Sequence, residues 1–234
     1  MKIKSALAKL STVCAGLVLG ASAMQASAVP FNVDITVDNS YALFYGTETA
    51  ATNFVGSDGI WETTESYNFD LPVDHFIYVV TQSDLSVAQG FLAQFTNLKK
   101  NYRFYSQDPQ WEVTATGNYG HAPYDGTPAS FAELNQQLTF ANAGNNPSNG
   151  WVGTTAGNAN GASPWGTRPE IDAAARWVWY SSNGAVNPTE PGFDHDEYLI
   201  FRIAVNSSTV PEPASLALLG LGLLGLGLAR KRNV

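Results

Sequence analysis

The chain has 234 residues with 12 basic and 20 acidic side chains, and six of the basic ones sit at its ends: Lys2, Lys4, Lys9, Arg230, Lys231 and Arg232. Positions 29–210 therefore set six basic residues against 19 carboxylates, a formal charge of −13. That balance argues against a nucleic-acid partner, because phosphate contacts need a basic stripe; it suits cations, neutral polymers or basic surfaces, with plain solubility as the simplest alternative.

The first 28 residues read as a secretory signal helix. Lys2, Lys4 and Lys9 precede the apolar run Leu10–Leu19, and Ala26-Ser27-Ala28 offers small residues to signal peptidase, so the mature chain begins at Val29. The single cysteine, Cys14, follows Ser11-Thr12-Val13, a poor lipoprotein acceptor box. With the signal removed, neither a disulfide framework nor a thiol nucleophile remains. The region 29–208 is long enough for one domain with its own core.

That region reads as mainly β. Val33–Val37 alternates and meets the turn pair Asp38-Asn39; Tyr41, Leu43 and Tyr45 then line one face of a second strand ending at Gly46, which predicts a hairpin. Further strands are expected at Ser66–Leu71, His75–Thr81, Gly90–Phe95, Tyr102–Tyr105, Trp111–Thr116, Arg176–Tyr180 and Glu197–Val205, each rich in aromatic or β-branched residues. Short strands separated by turns predict a single antiparallel β-sandwich.

One helix interrupts the pattern. Thr127 or Ser130 caps it, Phe131, Leu134 and Leu138 follow at spacings of three and four, Glu133 lies in its first turn and Gly144 stops it after Ala143. It is expected to pack over one sheet edge. Gly144–Gly166 is rich in Asn, Gly, Ala, Ser and Thr and reads as a long flexible loop, too polar for core, that carries Trp151 and Trp165.

The tail reads as a temporary membrane handle. Pro211-Glu212-Pro213 precedes an uncharged run from Ala214 to Ala229, and Arg230-Lys231-Arg232 follows. Such a helix spans roughly 24 Å, short of the roughly 30 Å hydrocarbon core, so it is marginal as a permanent anchor. Gly220, Gly222, Gly225 and Gly227 weaken it further as a structural helix. The terminal basic cluster marks the side that stays in the cytoplasm.

In these three parts, taken in order, residues 209–234 resemble the PEP-CTERM sorting signal of Gram-negative bacteria. The resemblance implies export, a transient C-terminal hydrophobic helix in the inner membrane, cleavage by exosortase near Pro211, Glu212 and Pro213, and delivery to the cell surface or extracellular polymer. It implies a route and leaves the cargo's task open.

A second resemblance lies in the body. Asp38-Asn39-Ser40-Tyr41 leads into Leu43-Phe44-Tyr45-Gly46; Trp61, Phe69–Leu71, Ile77-Tyr78-Val79-Val80 reaching Asp84, and Gly90-Phe91-Leu92-Ala93 follow; Arg176–Trp179 and Tyr198–Arg202 form a closing pair. This pattern resembles galactose-binding-like modules, which are jelly-roll sandwiches, and departs from them in a Thr/Ala-rich insert after the second strand and in the polar loop. It implies non-catalytic binding, most often of carbohydrate.

Sugar recognition needs aromatic faces for the C–H side of a pyranose and amides or carboxylates for its hydroxyls. The candidate aromatics are Trp61, Trp111, Trp151 and Trp165, with Trp151 and Trp165 open between ligand platform and loop staple. Trp177 and Trp179 point the same way from one strand and read as core. Asp194, His195, Asp196 and Glu197 are dense in oxygen ligands, and Asp34, Asp38 and Asp58 join them if the first and last strands pair. The set Asp38, Asp194, Asp196 and Glu197 suits Ca²⁺, but it lacks the D-x-D-x-D-G spacing of an EF-hand loop, and a solvated turn before the last strand is the simpler reading.

Enzymatic readings find little support. His75, His121 and His195 lack metal-ligand spacing, no G-x-S-x-G elbow occurs, and no carboxylate pair stands out among the 19 as a glycosidase couple. The expectation is an exported β-sandwich acting as a non-catalytic binding or structural component of the surface or extracellular matrix, with extracellular polysaccharide as its candidate ligand. The alternatives are a purely structural biofilm or floc matrix protein with no saturable ligand, and a glycan-active enzyme. Expected partners are signal peptidase, exosortase and transiently the inner membrane.

Overall fold

Val29, Phe31, Val33, Ile35 and Val37 alternate along the first strand, and all five are buried in the space between two sheets. The computed structural model describes residues 28–83, 87–119, 129–181, 187–190 and 197–205. These fall within the compact unit Ala28–Pro211.

Strand β1 (Val29–Asp38) lies between β4 (Glu65–Leu71) and β6 (Gly90–Asn97). The far side of β6 is shared by β7 (Tyr102–Tyr105), paired along Gln94–Asn97, and β11 (Arg176–Trp179), paired at Phe91; β10 (Thr155–Ala159) completes this first sheet beside β11. The second sheet runs in the order β3 (Ala50–Asp58), β2 (Ser40–Thr47), β5 (Phe76–Gln82), β12 (Glu197–Ala204), β8 (Glu112–Tyr119), β9 (Val152–Gly153). Every described pairing is antiparallel, and the body is a mainly β sandwich as the alternation predicts.

The expected hairpin of the first two strands does not form. The chain changes sheet at Asp38–Asn39, so β1 and β2 face each other across the core, and β2 takes β3 as its hairpin partner. Alternation places Tyr41 and Leu43 correctly on an inward face but carries no information about which sheet that face belongs to. β3 itself went unread because its edge position leaves Ala50, Thr52 and Asn53 without a core row to mark them.

Aromatic rings fill the space between the sheets. Phe91 meets Trp111 edge-on at 5.4 Å and Phe201 at 5.2 Å, Phe95 stacks on Phe104 at 5.0 Å, and Trp179 lies 5.6 Å from Phe201. Contacts of this kind add about 0.5–1.5 kcal/mol each beyond the area they bury.

The outer faces are both covered. Over the second sheet lies α1 (Phe131–Asn142), capped by Ser130 Oγ, which accepts from Glu133 N at 3.2 Å, and followed by Gly144 at φ +71°, where a residue with a Cβ is strained. Leu134 and Leu138 bury against Ala42, Phe44, Tyr78, Val80 and Ile200 of three neighbouring strands, so the helix sits on the sheet's face and not over its edge. Asn135 grips the edge strand by accepting from Ala51 N at 2.8 Å and donating to Ala51 O at 3.2 Å.

The first sheet is covered by the connection from β10 to β11. Trp165, Ile171 and Ala175 from that segment form a second apolar cluster with Ala88, Leu92 and Trp177. The segment read as too polar for core is thus a lid of ordered loop. Trp177 belongs to this outer cluster and Trp179 to the interior, so both are buried as expected but on opposite sides of the sheet. Among the described residues no helix is long and apolar enough to cross a membrane. The expected signal helix and C-terminal hydrophobic helix lie outside the described residues.

Candidate functional site

On the outer face of the first sheet, the even-numbered residues of β1 hold the cover down. Asp34, Thr36 and Asp38 are only 9%, 0% and 8% exposed although they point away from the core. Buried polar groups of this kind need partners. Asp34 accepts from Ser66 Oγ and from Gln94 Nε2 at 3.2 Å; Thr36 Oγ1 donates to Trp61 O at 2.9 Å; Asp38 Oδ2 accepts from Trp165 Nε1 at 2.6 Å. One strand therefore fastens β4, the β3–β4 connection and the β10–β11 loop.

Inside the loop, Asn160 acts as a brace. Its Nδ2 donates to Arg168 O at 2.8 Å and Ile171 O at 2.7 Å, and its Oδ1 accepts from Arg168 N at 2.8 Å. Trp165 stacks on Trp177 with ring centres 4.0 Å apart, and both rings press on Gly90, where a Cβ would stand 2.5 Å from Trp177 Cε3. Only glycine admits the lid this close to β6.

An open cleft of about 380 Å³ remains between this loop and β6–β7. Its floor is Gln94 and Asn160, and its rim is Arg103, Arg168, Glu170 and Asp172. Gln94 bridges both layers, donating to Asp34 and accepting from Asp172 N at 3.2 Å. Arg103 Nη1 stands 3.9 Å from Asp172 Oδ2, a long and half-exposed pair that leaves donor and acceptor capacity for a ligand. Burial raises the Tyr105 phenol above its ordinary value, and the adjacent Asp172 carboxylate adds to that rise. Arg168 lies 5.4 Å over the Trp61 ring and donates from Nη2 to Trp61 O at 3.1 Å, which ties the rim to the β3–β4 connection. The cleft thus presents guanidinium donors and carboxylate acceptors on a fixed frame.

The four tryptophans singled out in the sequence go to four different places. Trp61 is half-buried beside the cleft and is the one of them that borders it, through Arg168. Trp111 is fully buried between the sheets against Phe91 and Phe95, donating from Nε1 to Tyr105 O at 3.0 Å, so it has no face for a ligand. Trp165 is the lid's staple. Trp151 is half-buried on the other side of the sandwich, with the Arg202 guanidinium 3.8 Å above its ring and Nε1 donating to Asn142 Oδ1 at 2.7 Å. Arg202 is itself held by Glu112 at 2.8 Å and lies 5.2 Å from the Phe76 ring. Trp151 therefore locks α1 to the second sheet.

The proposed calcium set meets a topological obstacle. Asp38 is engaged by Trp165, and β1 and β12 lie in different sheets, so the pairing that was to gather Asp34, Asp38 and Asp58 around the last strand does not occur. Asp194, Asp196 and the Glu197 side chain lie outside the described residues. Among the described residues no three His, Cys, Asp or Glu side chains group as a metal site.

The cleft's own residues were not singled out from the sequence. Gln94, Arg103, Arg168, Glu170 and Asp172 come from two strands and a loop with no regular spacing. The one available signal was composition, since Arg103 and Arg168 are two of only six basic residues in an acidic body.

The tail supplies the decisive comparison. Residues 209–232 match the family model described as the PEP-CTERM protein-sorting motif. The chain carries a PEP-CTERM sorting signal. No curated protein and no solved structure matches the chain. The PEP-CTERM motif implies export, a membrane-anchored processing intermediate and cleavage by exosortase. Its Pro211, Glu212, Pro213, Arg230, Lys231 and Arg232 lie outside the described residues.

Proposed function

We propose that this PEP-CTERM protein is a non-catalytic binding component of the Gram-negative cell surface or extracellular matrix, and that it holds an uncharged stretch of extracellular polysaccharide in the cleft between the β10–β11 loop and β6–β7. The observation that carries the reading is the cleft itself, about 380 Å³ with Arg103, Arg168, Glu170 and Asp172 at its rim. That size accommodates a sugar ring, and the mixture of fixed donors and acceptors matches a row of hydroxyls. Two guanidinium groups balance two carboxylates there, while a body charge of −13 repels polyanions, so a neutral saccharide fits better than a uronate-rich chain.

The test is a glycan array with and without Ca²⁺, followed by titration of the strongest neutral hit against Arg103→Ala and Glu170→Ala. Each loses hydrogen bonds to a charged group, so affinity should fall about 10- to 100-fold with folding unchanged. Unchanged affinity in both would remove the cleft as the binding site. Saturable binding to no polysaccharide at all would favour the purely structural matrix role, which the burial of Trp111 and Trp165 also suits.

A further inference from the structure

The start and the end of the described body lie at the same end of the sandwich. Leu98 N donates to Pro30 O at 2.9 Å, which puts the start of β1 beside the β6–β7 turn, and Val205 N donates to His75 O at 2.9 Å as β12 finishes. Tyr102, the first residue of β7, lines one shallow depression with Ile203, Ala204 and Val205. The turn 98–101 therefore neighbours both points from which the chain continues towards its terminal segments.

Leu98 and Tyr102 are 51% and 44% exposed, and Lys99, Lys100 and Asn101 are exposed between them. An aliphatic side chain, two ammonium groups and a phenol on one short turn are the side-chain set of a bilayer interface: the aliphatic group reaches the acyl boundary, the lysines meet lipid phosphates and the tyrosine sits at headgroup depth. Lys99 and Lys100 are the only lysines between positions 29 and 210, and with Arg103 they place half of that region's six basic residues within five positions. Asp70, opposite Pro30, Asp74, next to His75, Asp108, beside Tyr102, and Glu48, in the β2–β3 turn beyond the Gly46–Phe76 pair, are carboxylates at this end. Carboxylates thus outnumber lysines across this end, but Lys99 and Lys100 are adjacent and exposed on the turn itself, so the turn meets an anionic surface with a local positive charge.

Chain length adds the second constraint. Eight residues separate Val205 from Ala214, where the apolar run begins, and the nine Cα-to-Cα steps reach at most about 30 Å. While the sorting tail is in the membrane, the Val205 end of the body is confined near the bilayer surface. A tether this short holds the effective concentration in the millimolar range, so a weak contact is enough.

We propose that the Leu98–Tyr102 turn is a docking edge that seats the tethered body on an anionic phospholipid surface before the tail is removed. The cleft proposal is independent of it. Docking orients the body with its termini towards the membrane and the opposite end, with Glu62, about 27 Å away along an eight-residue strand, towards the outside.

Amine-reactive footprinting of the tail-bearing chain in vesicles tests this without any substitution, because Lys99 and Lys100 are the body's only lysines. In vesicles containing phosphatidylglycerol, labelling of both should fall about five-fold or more relative to phosphatidylcholine vesicles, and 1 M salt should restore it. The variant Leu98→Ser/Tyr102→Ser should label in phosphatidylglycerol as the natural chain does in phosphatidylcholine. Equal labelling of the natural chain in the two lipids overturns the proposal, as does continued protection of the double variant.

Discussion

The two outer faces of the sandwich are covered by different means. Over the second sheet, α1 lays Leu134 and Leu138 on a flat apolar surface, with Trp151 and Arg202 closing the join. Over the first sheet, a polar loop is held by one indole, Trp165, which donates to Asp38, by Gln94, which accepts from Asp172 N, and by the Asn160 bonds within the loop. An apolar helix lies directly on its sheet through Leu134 and Leu138, whereas a hydrogen-bonded loop leaves a cleft with unspent donors and acceptors beside it. The cover that is harder to build from hydrophobic burial is the one that offers chemistry.

Substitutions on the two sides should separate these roles. Trp165→Ala removes the stack on Trp177 and the bond to Asp38 together, and is expected to cost about 3–5 kcal/mol and to abolish cleft binding as the loop detaches. Leu138→Ala on the helix side should cost about 2–4 kcal/mol yet leave affinity unchanged wherever the protein is folded. Denaturant unfolding beside saccharide titration checks both, and equal loss of binding in the two would merge covers that are here held distinct. Asn160→Ala should cost about 2 kcal/mol, because two loop carbonyls and one amide lose their partner, and should weaken binding before it lowers the melting temperature appreciably.

The smallest expected effect concerns pH. Glu65, at the cleft-distant side of β1, accepts from Tyr41 Oη at 3.3 Å and Thr63 Oγ1 at 2.6 Å, and burial raises its pKa above the ordinary value of 4.5. A carboxyl whose pKa is raised by folding binds its proton more tightly in the folded state, so stability is highest below pH 4.5 for this group and declines as pH rises through the folded value. Glu65→Gln should therefore stabilise the protein at neutral pH and change nothing at pH 4, as read by thermal melts. A melting temperature lowered by the substitution at neutral pH would contradict that sign.

Much of the framework was legible in the sequence. Alternation in β1 and the Tyr41, Leu43 and Tyr45 row of β2 marked inward faces, aromatic and β-branched content located β5, β6 and β12, and Ser130, Glu133, Leu134, Leu138 and Gly144 gave the helix with its cap and stop. Pairing was not legible, because a period of two places side chains on faces without saying which sheet they belong to; hence the false hairpin of β1 with β2. The lid was missed for a related reason. Gly144–Gly166 read as a flexible polar loop, but Asn160 within it spends its amide on closing that loop, and Trp165 supplies the apolar contact from a single position. Tryptophan alone suggests a sugar platform, yet Trp111 shows that burial is decided by what a strand packs against. The tail, by contrast, was readable from local order alone, and residues 209–232 match the sorting motif.

Titration of a neutral polysaccharide into the natural protein, Arg103→Ala and Trp151→Ala tests the central claim most directly, since one variant alters the loop-covered face and the other the helix-covered face. Affinity should drop at least about ten-fold for Arg103→Ala and stay within two-fold for folded Trp151→Ala. Binding lost with Trp151→Ala and kept with Arg103→Ala would place the ligand on the opposite side of the sandwich and contradict the account.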